Sequence, residues 1–248
     1  MQQESKEVIV LGSPRSGTSM TAGVLSILGV DMGEVRQPDF ENPTGYYEDI
    51  EISRLIEDIF KETDPYSDGF HPPSMTLLKK KLVLYRKRAQ QIVMRRRKKT
   101  NFWGWKVPSL IFILELLLPY LQNPHFVIVV RKPLNIASSM IKYGQRKGYR
   151  SIDTIYALRL CAFYYSEIFS FLDNHRSFPY IVVAYEDAIE DPKKFVNELA
   201  SFLQIKPTYK QLAEVEQFVN PRIKRLKFAW RLRYKVRLML KRIGSIKK

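Results

Sequence analysis

The sequence predicts an α/β fold, a three-layer sandwich with a central parallel sheet. Three observations predict it. The short apolar runs Val8–Leu11 and Phe126–Val130 read as strands buried on both faces. Segments with apolar residues at helical spacing lie between such runs, so strands alternate with helices. The first run passes through a polar, glycine-bearing loop, Gly12–Gly17, straight into a helix.

The elements follow in order. Thr18–Leu28 carries Met20, Val24, Leu25 and Leu28 on one helical face and stops at Gly29. Residues 30–47 read as loop, with Pro38, Pro43 and Gly45, and a helix is expected from about Glu48 to Lys61. Residues 62–74 are irregular. Residues 75–99 keep helical spacing (Leu78, Leu82, Ala89, Ile92) beneath a basic surface, and form a basic helical insertion. Phe102–Val107 reads as a strand and Leu110–Leu121 as a buried helix. Leu134–Tyr143 and Thr154–Leu172 read as helices, Tyr180–Ala184 as a strand and Lys193–Leu203 as a helix. The chain from about Tyr209 looks helical. No repeat or linker divides residues 1–248, which are expected to form one domain.

Composition removes several classes. The 248 residues are 45% hydrophobic and 27% charged, which suits a folded core and excludes global disorder. Cys161 has no partner cysteine, and His71, His125 and His175 are far apart, so neither a disulfide nor a Cys/His zinc site is expected. The net charge of +16 first suggests nucleic acid. Its distribution argues otherwise. Residues 79–99 hold 11 basic residues and residues 222–248 hold 12, with no acid in either block. The remainder holds 18 basic against 25 acidic residues. A mildly acidic body with two basic appendages is not a nucleic-acid footprint.

Residues 1–7 are polar and no apolar stretch is long enough to span a bilayer, so the expectation is a cytoplasmic protein, peripheral at most. The basic C-terminal tail, 222–248, mixes aliphatic, aromatic and basic residues. It either packs its apolar side on the domain or lies on an anionic membrane surface.

The N-terminal loop, GSPRSGTS, matches a phosphate-binding loop at Gly12, Gly17 and Ser19, but Thr18 stands where the Walker lysine belongs. Arg15 offers a forked cation inside the loop instead. Phe126–Val130 leads into Arg131, where a nucleotide hydrolase would carry a metal-holding aspartate. The loop therefore reads as a cradle for an anion bound without metal. A kinase would need both missing features. A purely basic membrane or nucleic-acid binder would leave the loop unexplained.

Three segments in register carry a family resemblance: PRSGTS, then VIVVRKPLNIASSM, then VVAYEDAIEDPKKFVNELASFL. They resemble the 5′-phosphosulfate loop, the 3′-phosphate motif and the Tyr-Glu-Asp segment of sulfotransferases that use 3′-phosphoadenosine 5′-phosphosulfate. The resemblance implies a P-loop NTPase-like sulfotransferase fold, that donor as cosubstrate and no metal requirement. It also implies a donor site built from Arg15, the amides of Ser16, Gly17, Thr18 and Ser19, and Arg131 with Ser139. Met20 takes the place of a tryptophan found after the loop in many cytosolic members, and Tyr185 becomes the adenine neighbour. The glycine-rich C-terminal loop of those members is missing, and Arg222, Lys224 or Arg225 are the expected substitutes.

Sulfuryl transfer to a hydroxyl needs a base and a cation at the leaving oxygen. Lys106, in FWGWKVPSL, is similar to the lysine of the family's Lys-x-Pro segment; with Arg15 it is the expected charge stabiliser. Pro108 stands where cytosolic members carry a histidine base. The stretch ENPTGYYEDIEIS resembles a bacterial segment that supplies a carboxylate, so Glu48 is the expected base and Asp49 the fallback. The acceptor implied is a carbohydrate or glycolipid hydroxyl.

Overall fold

The computed structural model describes residues 5–39, 42, 44–149 and 152–219. Strand β1 (Lys6–Leu11) runs through the glycine loop into helix α1 (Thr18–Ile27). Helix α2 (Ile50–Thr63) is followed by α3 (Met75–Leu82), a 3-10 turn (Val83–Tyr85) and α4 (Arg86–Lys99). Strand β2 (Phe102–Lys106) leads to the one-turn helix α5 (Leu114–Leu117), and β3 (Pro124–Val130) to α6 (Pro133–Lys147) and α7 (Thr154–Asn174). Strand β4 (Tyr180–Ala184) precedes α8 (Tyr185–Glu190), α9 (Pro192–Leu203) and α10 (Tyr209–Val219).

Among the described residues the four strands form one sheet in the order β2-β1-β3-β4, parallel throughout. Strand alternation divides β1 cleanly. Ile9 and Leu11 join Trp103, Trp105, Phe126 and Ile128 beneath α2, α4, α6 and α7. Val8 and Val10 join Val127, Val129 and Val183 beneath α1, α9 and α10. These are the three layers that the alternating pattern predicts, and β1 lies buried inside the sheet, where apolar runs belong.

Two expectations need correction. Leu110–Leu121 is not one helix: 3-10 turns at Pro108–Ile113 and Leu118–Tyr120 flank the single turn of α5. Pro119 lacks the amide that a continuous helix would use near its end, while Leu110, Ile111, Ile113, Leu114, Leu116 and Leu117 still bury. The 75–99 insertion is helical, but it is not simply an appended basic surface. Lys81, Arg88 and Arg95 pair with Glu62, Asp58 and Glu51 of α2, while Arg96 pairs with Asp31 and Arg97 with the buried Glu7. Helix α8, at the Tyr-Glu-Asp segment, had no signature of its own. Among the described residues no helix is long and apolar enough to cross a membrane. The 222–248 tail, including Arg222, Lys224 and Arg225, lies outside the described residues.

Candidate active site

All four strands deliver the site from their carboxyl ends. β1 opens into the Gly12–Gly17 loop, β2 ends on Lys106, β3 is followed by Arg131, and β4 by Tyr185. Parallel sheets bind ligands at this edge, where the chain leaves the strands and helices begin.

The loop is tight. The Ser16 N–H donates to the Ser13 carbonyl at 3.0 Å, so Ser16 closes the turn rather than offering its amide, contrary to the sequence expectation. Arg15 adopts φ +70° and Gly17 φ +108°. Side chains at the two glycines would collide: a Cβ on Gly12 would lie 2.7 Å from the Val129 carbonyl, and one on Gly17 2.4 Å from the Tyr185 ring. Gly17 caps α1 without a side chain. The amides of Met20 and Thr21 turn back to its carbonyl at 3.0 and 3.1 Å. Those of Thr18 and Ser19 have no carbonyl within the helix, which is the arrangement that receives anions.

Arg15 and Arg131 meet across this loop. Arg15 Nε donates to Ser139 Oγ at 3.1 Å, which brings α6, and with it the second of the three segments, to the loop. Arg131 Nη1 donates to the Arg15 carbonyl at 3.0 Å, and its guanidinium lies 4.3 Å over the Tyr185 ring. Its Nε is buried and finds no acceptor among the described residues. Tyr185 thus braces both the glycine loop and Arg131. Met20 is half-buried and packs on the core shared by α1 and β1, away from the cavity described next.

A cavity of about 430 Å³ opens beside the loop. At its floor Lys106 is fully buried, and its ammonium donates to Ser19 Oγ at 3.1 Å and to Glu48 Oε1 at 2.5 Å. Burial pulls the Lys106 pKa below the usual lysine range, while Glu48 pulls it back up. Glu48 is held from both sides. The Arg36 N–H donates to its carbonyl at 3.1 Å and the Ile50 N–H donates to the Glu34 carbonyl at 2.8 Å. Before it, Tyr47 takes φ +55° and sends its ring the other way, edge-on to Phe218 of α10 at 6.2 Å.

Asp49, the fallback base, has a different task. Its Oδ1 accepts the amides of Glu51 at 2.9 Å and Ile52 at 3.1 Å, so it caps α2. The carboxyl is buried, and burial pushes its pKa up. None of the three histidines lines the cavity. His71 contacts Asp68, His125 the Asn123 carbonyl and His175 the Phe171 carbonyl.

The opposite wall was foreseen only in part: the sequence pointed to Arg36–Asp68 and 75–99 as shaping the acceptor site, and of this wall Asp68 alone falls there. Tyr143 stacks on Phe70 at 4.8 Å, with the Arg15 guanidinium 5.4 Å from its ring centroid. Tyr149 donates its hydroxyl to Asp68 Oδ2 at 2.7 Å, and burial together with that carboxylate pushes its pKa up. One signal was available: Ser139, Tyr143 and Lys147 recur every four residues, so Ser139 predicts the other two on its own face of α6. Asp68 and Phe70 sit in an irregular stretch with no periodicity to read.

The three segments therefore converge as their order in the chain suggested. A family model described as the sulfotransferase family matches residues 7–209. No curated protein matches in sequence. Among solved structures, the chain is similar to the sulfotransferase domain from the curacin biosynthetic pathway, with TM-score 0.51 and 17% identity over 85% of this chain and 77% of that one. It is likewise similar to the sulfotransferase domain from the Synechococcus PCC 7002 olefin synthase, with TM-score 0.51 and 16% identity over 86% and 78% of the two chains. At such identities these structures speak for the fold; the family rests on the model match. That match removes the kinase and the non-enzymatic binder from consideration, and the chain belongs to the sulfotransferase family of enzymes.

Proposed function

We propose that the protein, acting as one domain over residues 1–248, transfers the sulfuryl group of 3′-phosphoadenosine 5′-phosphosulfate to an acceptor hydroxyl without a metal ion. The observation that carries this reading is the convergence of Ser19, Lys106 and Glu48 at the floor of the cavity, against the amide end of α1. The donor supplies an activated sulfuryl group on a phosphate. The residues present fit such an anion: two glycines leave no room for side chains in the cradle, and Arg131 keeps a buried N–H without an acceptor among the described residues.

The roles follow from the contacts. The amides of Thr18 and Ser19 with Arg15 hold the phosphosulfate end. Arg131 and Ser139 hold the 3′-phosphate, and Tyr185 supports Arg131 from below. Glu48 takes the proton of the acceptor hydroxyl as the new oxygen–sulfur bond forms. Once protonated, Glu48 holds Lys106 less strongly, and the ammonium is released toward charge gathering on the leaving phosphate oxygen. The acceptor is a carbohydrate or glycolipid hydroxyl, a reading supported by a cavity that mixes carboxylates and phenols with aromatic rings. The 222–248 tail is a candidate for contact with an anionic membrane.

Calorimetry with adenosine 3′,5′-bisphosphate tests the donor site. Binding is expected in the presence of a chelator, and Arg131→Ala weakens it. An unaltered affinity in Arg131→Ala, or no binding by the wild type, overturns the assignment. Radiolabelled sulfuryl transfer to a panel of sugar, lipid-linked and phenolic hydroxyls tests the acceptor; transfer to phenols alone removes the carbohydrate reading.

A further inference from the structure

The ion pairs between α2 and the basic insertion leave the insertion's outer face to a different task. Lys81, Arg88 and Arg95 recur every seven residues and turn inward to α2, while Leu78, Ala89, Ile92 and Val93 bury. The exposed side of the insertion carries Leu77 and Lys80 on α3, Leu84 in the 3-10 turn, and Lys87 and Met94 on α4. Leu77 is 51% exposed, Leu84 66% and Met94 47%, and Val83 beside them is 51% exposed. Lys79, Lys80, Arg86 and Lys87 have no acidic partner among the described residues, and residues 75–99 contain no acid at all. Aliphatic tips standing among cations without acidic partners on the exposed side of the insertion match the surface of a bilayer with anionic headgroups: the cations meet the lipid phosphates and the aliphatic groups reach the acyl boundary. A nucleic-acid backbone would satisfy the cations but leave four aliphatic side chains with nothing to meet.

We propose that the outer face of residues 77–94 docks the enzyme on an anionic phospholipid bilayer. The surface is also tied to the active-site cavity. Lys81 Nζ lies 3.2 Å from Glu62 Oε1, and Tyr85 donates its hydroxyl to the same carboxylate, at the end of α2 whose Phe60 and Lys61 line the cavity. A docked helix is thus held directly to the cavity wall, as suits an acceptor presented at a membrane.

Co-sedimentation of the full chain with phosphatidylcholine vesicles, with and without phosphatidylglycerol, tests the proposal. The wild type is expected to partition onto the anionic vesicles and to be released by salt. Leu77→Ser/Leu84→Ser/Met94→Ser and Lys80→Gln/Lys87→Gln are each expected to lower the partition about tenfold or more. Both variants should keep wild-type affinity for adenosine 3′,5′-bisphosphate, which reports an intact fold. A Leu84→Trp variant should add a blue-shifted emission component on anionic vesicles only. Partition unchanged in both variants would assign any membrane contact to another segment and overturn the proposal. So would duplex DNA binding without vesicle binding, or a wild-type dimer that the triple variant turns into a monomer.

Discussion

Glu48 and Lys106 form an ion pair at 2.5 Å on the cavity floor, joining a loop before α2 to the last residue of β2. Lys106 is fixed by the sheet, whereas Glu48 is fixed by the backbone on either side of it. If Glu48 is the base, Glu48→Gln keeps the shape and a hydrogen bond to Lys106 but cannot take a proton. Turnover should fall roughly 10²- to 10⁴-fold, with bisphosphate affinity nearly unchanged. Turnover within a few-fold of wild type would place the base elsewhere.

The buried ammonium also leaves a mark on stability. The pKa of Lys106 is lower in the folded chain than in the unfolded one. Between those two values the unfolded chain binds more protons, so stability rises with pH across that window. Lys106→Met removes the group and should flatten that rise in urea melts taken at increasing alkaline pH. The wild type and Lys106→Met sharing one profile would contradict the shift.

Asp49 and its neighbour should separate cleanly. Asp49→Ala deletes the cap of α2 and should cost about 1–2 kcal/mol in denaturant melts. Asp49→Asn, which keeps an accepting oxygen, should recover most of it. Per folded molecule, Asp49→Asn should turn over near the wild-type rate; a loss as deep as that of Glu48→Gln would return Asp49 to the chemistry.

A remote glycine should affect the same floor. A Cβ on Gly23 of α1 would come within 2.3 Å of the Phe218 ring and 2.9 Å of the Tyr47 ring. Gly23→Ala should therefore destabilise the protein by about 1–3 kcal/mol through overpacking. Because Tyr47 directly precedes Glu48, it should also lower kcat more than it weakens bisphosphate binding. Adding Phe218→Leu, which frees space, should restore part of both; no recovery would mean the rings do not position the loop.

The residues that gather around the glycine loop were legible because each sits at a sequence landmark. Arg15 lies between two loop glycines, and Arg131 ends an apolar strand. Lys106 ends another strand, in a segment similar to the family's Lys-x-Pro. Where sequence reading slipped, a tertiary contact had overridden a local pattern. Ser16 spends its amide on closing the turn, and Met20 obeys the apolar face of α1. The basic block 79–99 looked solvent-facing because its acidic partners lie far back in the chain, on α2 for Lys81, Arg88 and Arg95, at Asp31 for Arg96 and, 90 residues earlier, at Glu7 for Arg97. The Phe70, Tyr143 and Tyr149 wall comes from two distant stretches, around 70 and 143–149, that only the folded chain brings together.

The two sides of the cavity differ in what holds them. Lys106 ends β2 and Arg131 directly follows β3, while Arg15 lies in the loop after β1 and Ser19 in the first turn of α1, so the sheet fixes where all four stand. Asp68, Phe70 and Tyr149 sit on connecting segments outside the sheet. Substitutions can therefore accumulate at 66–71 and around 149 without loosening the donor cradle. For an engineer working from the proposed function, exchanging those two connections between related chains is the shortest route to altering the cavity wall while the strand-end residues stay in place.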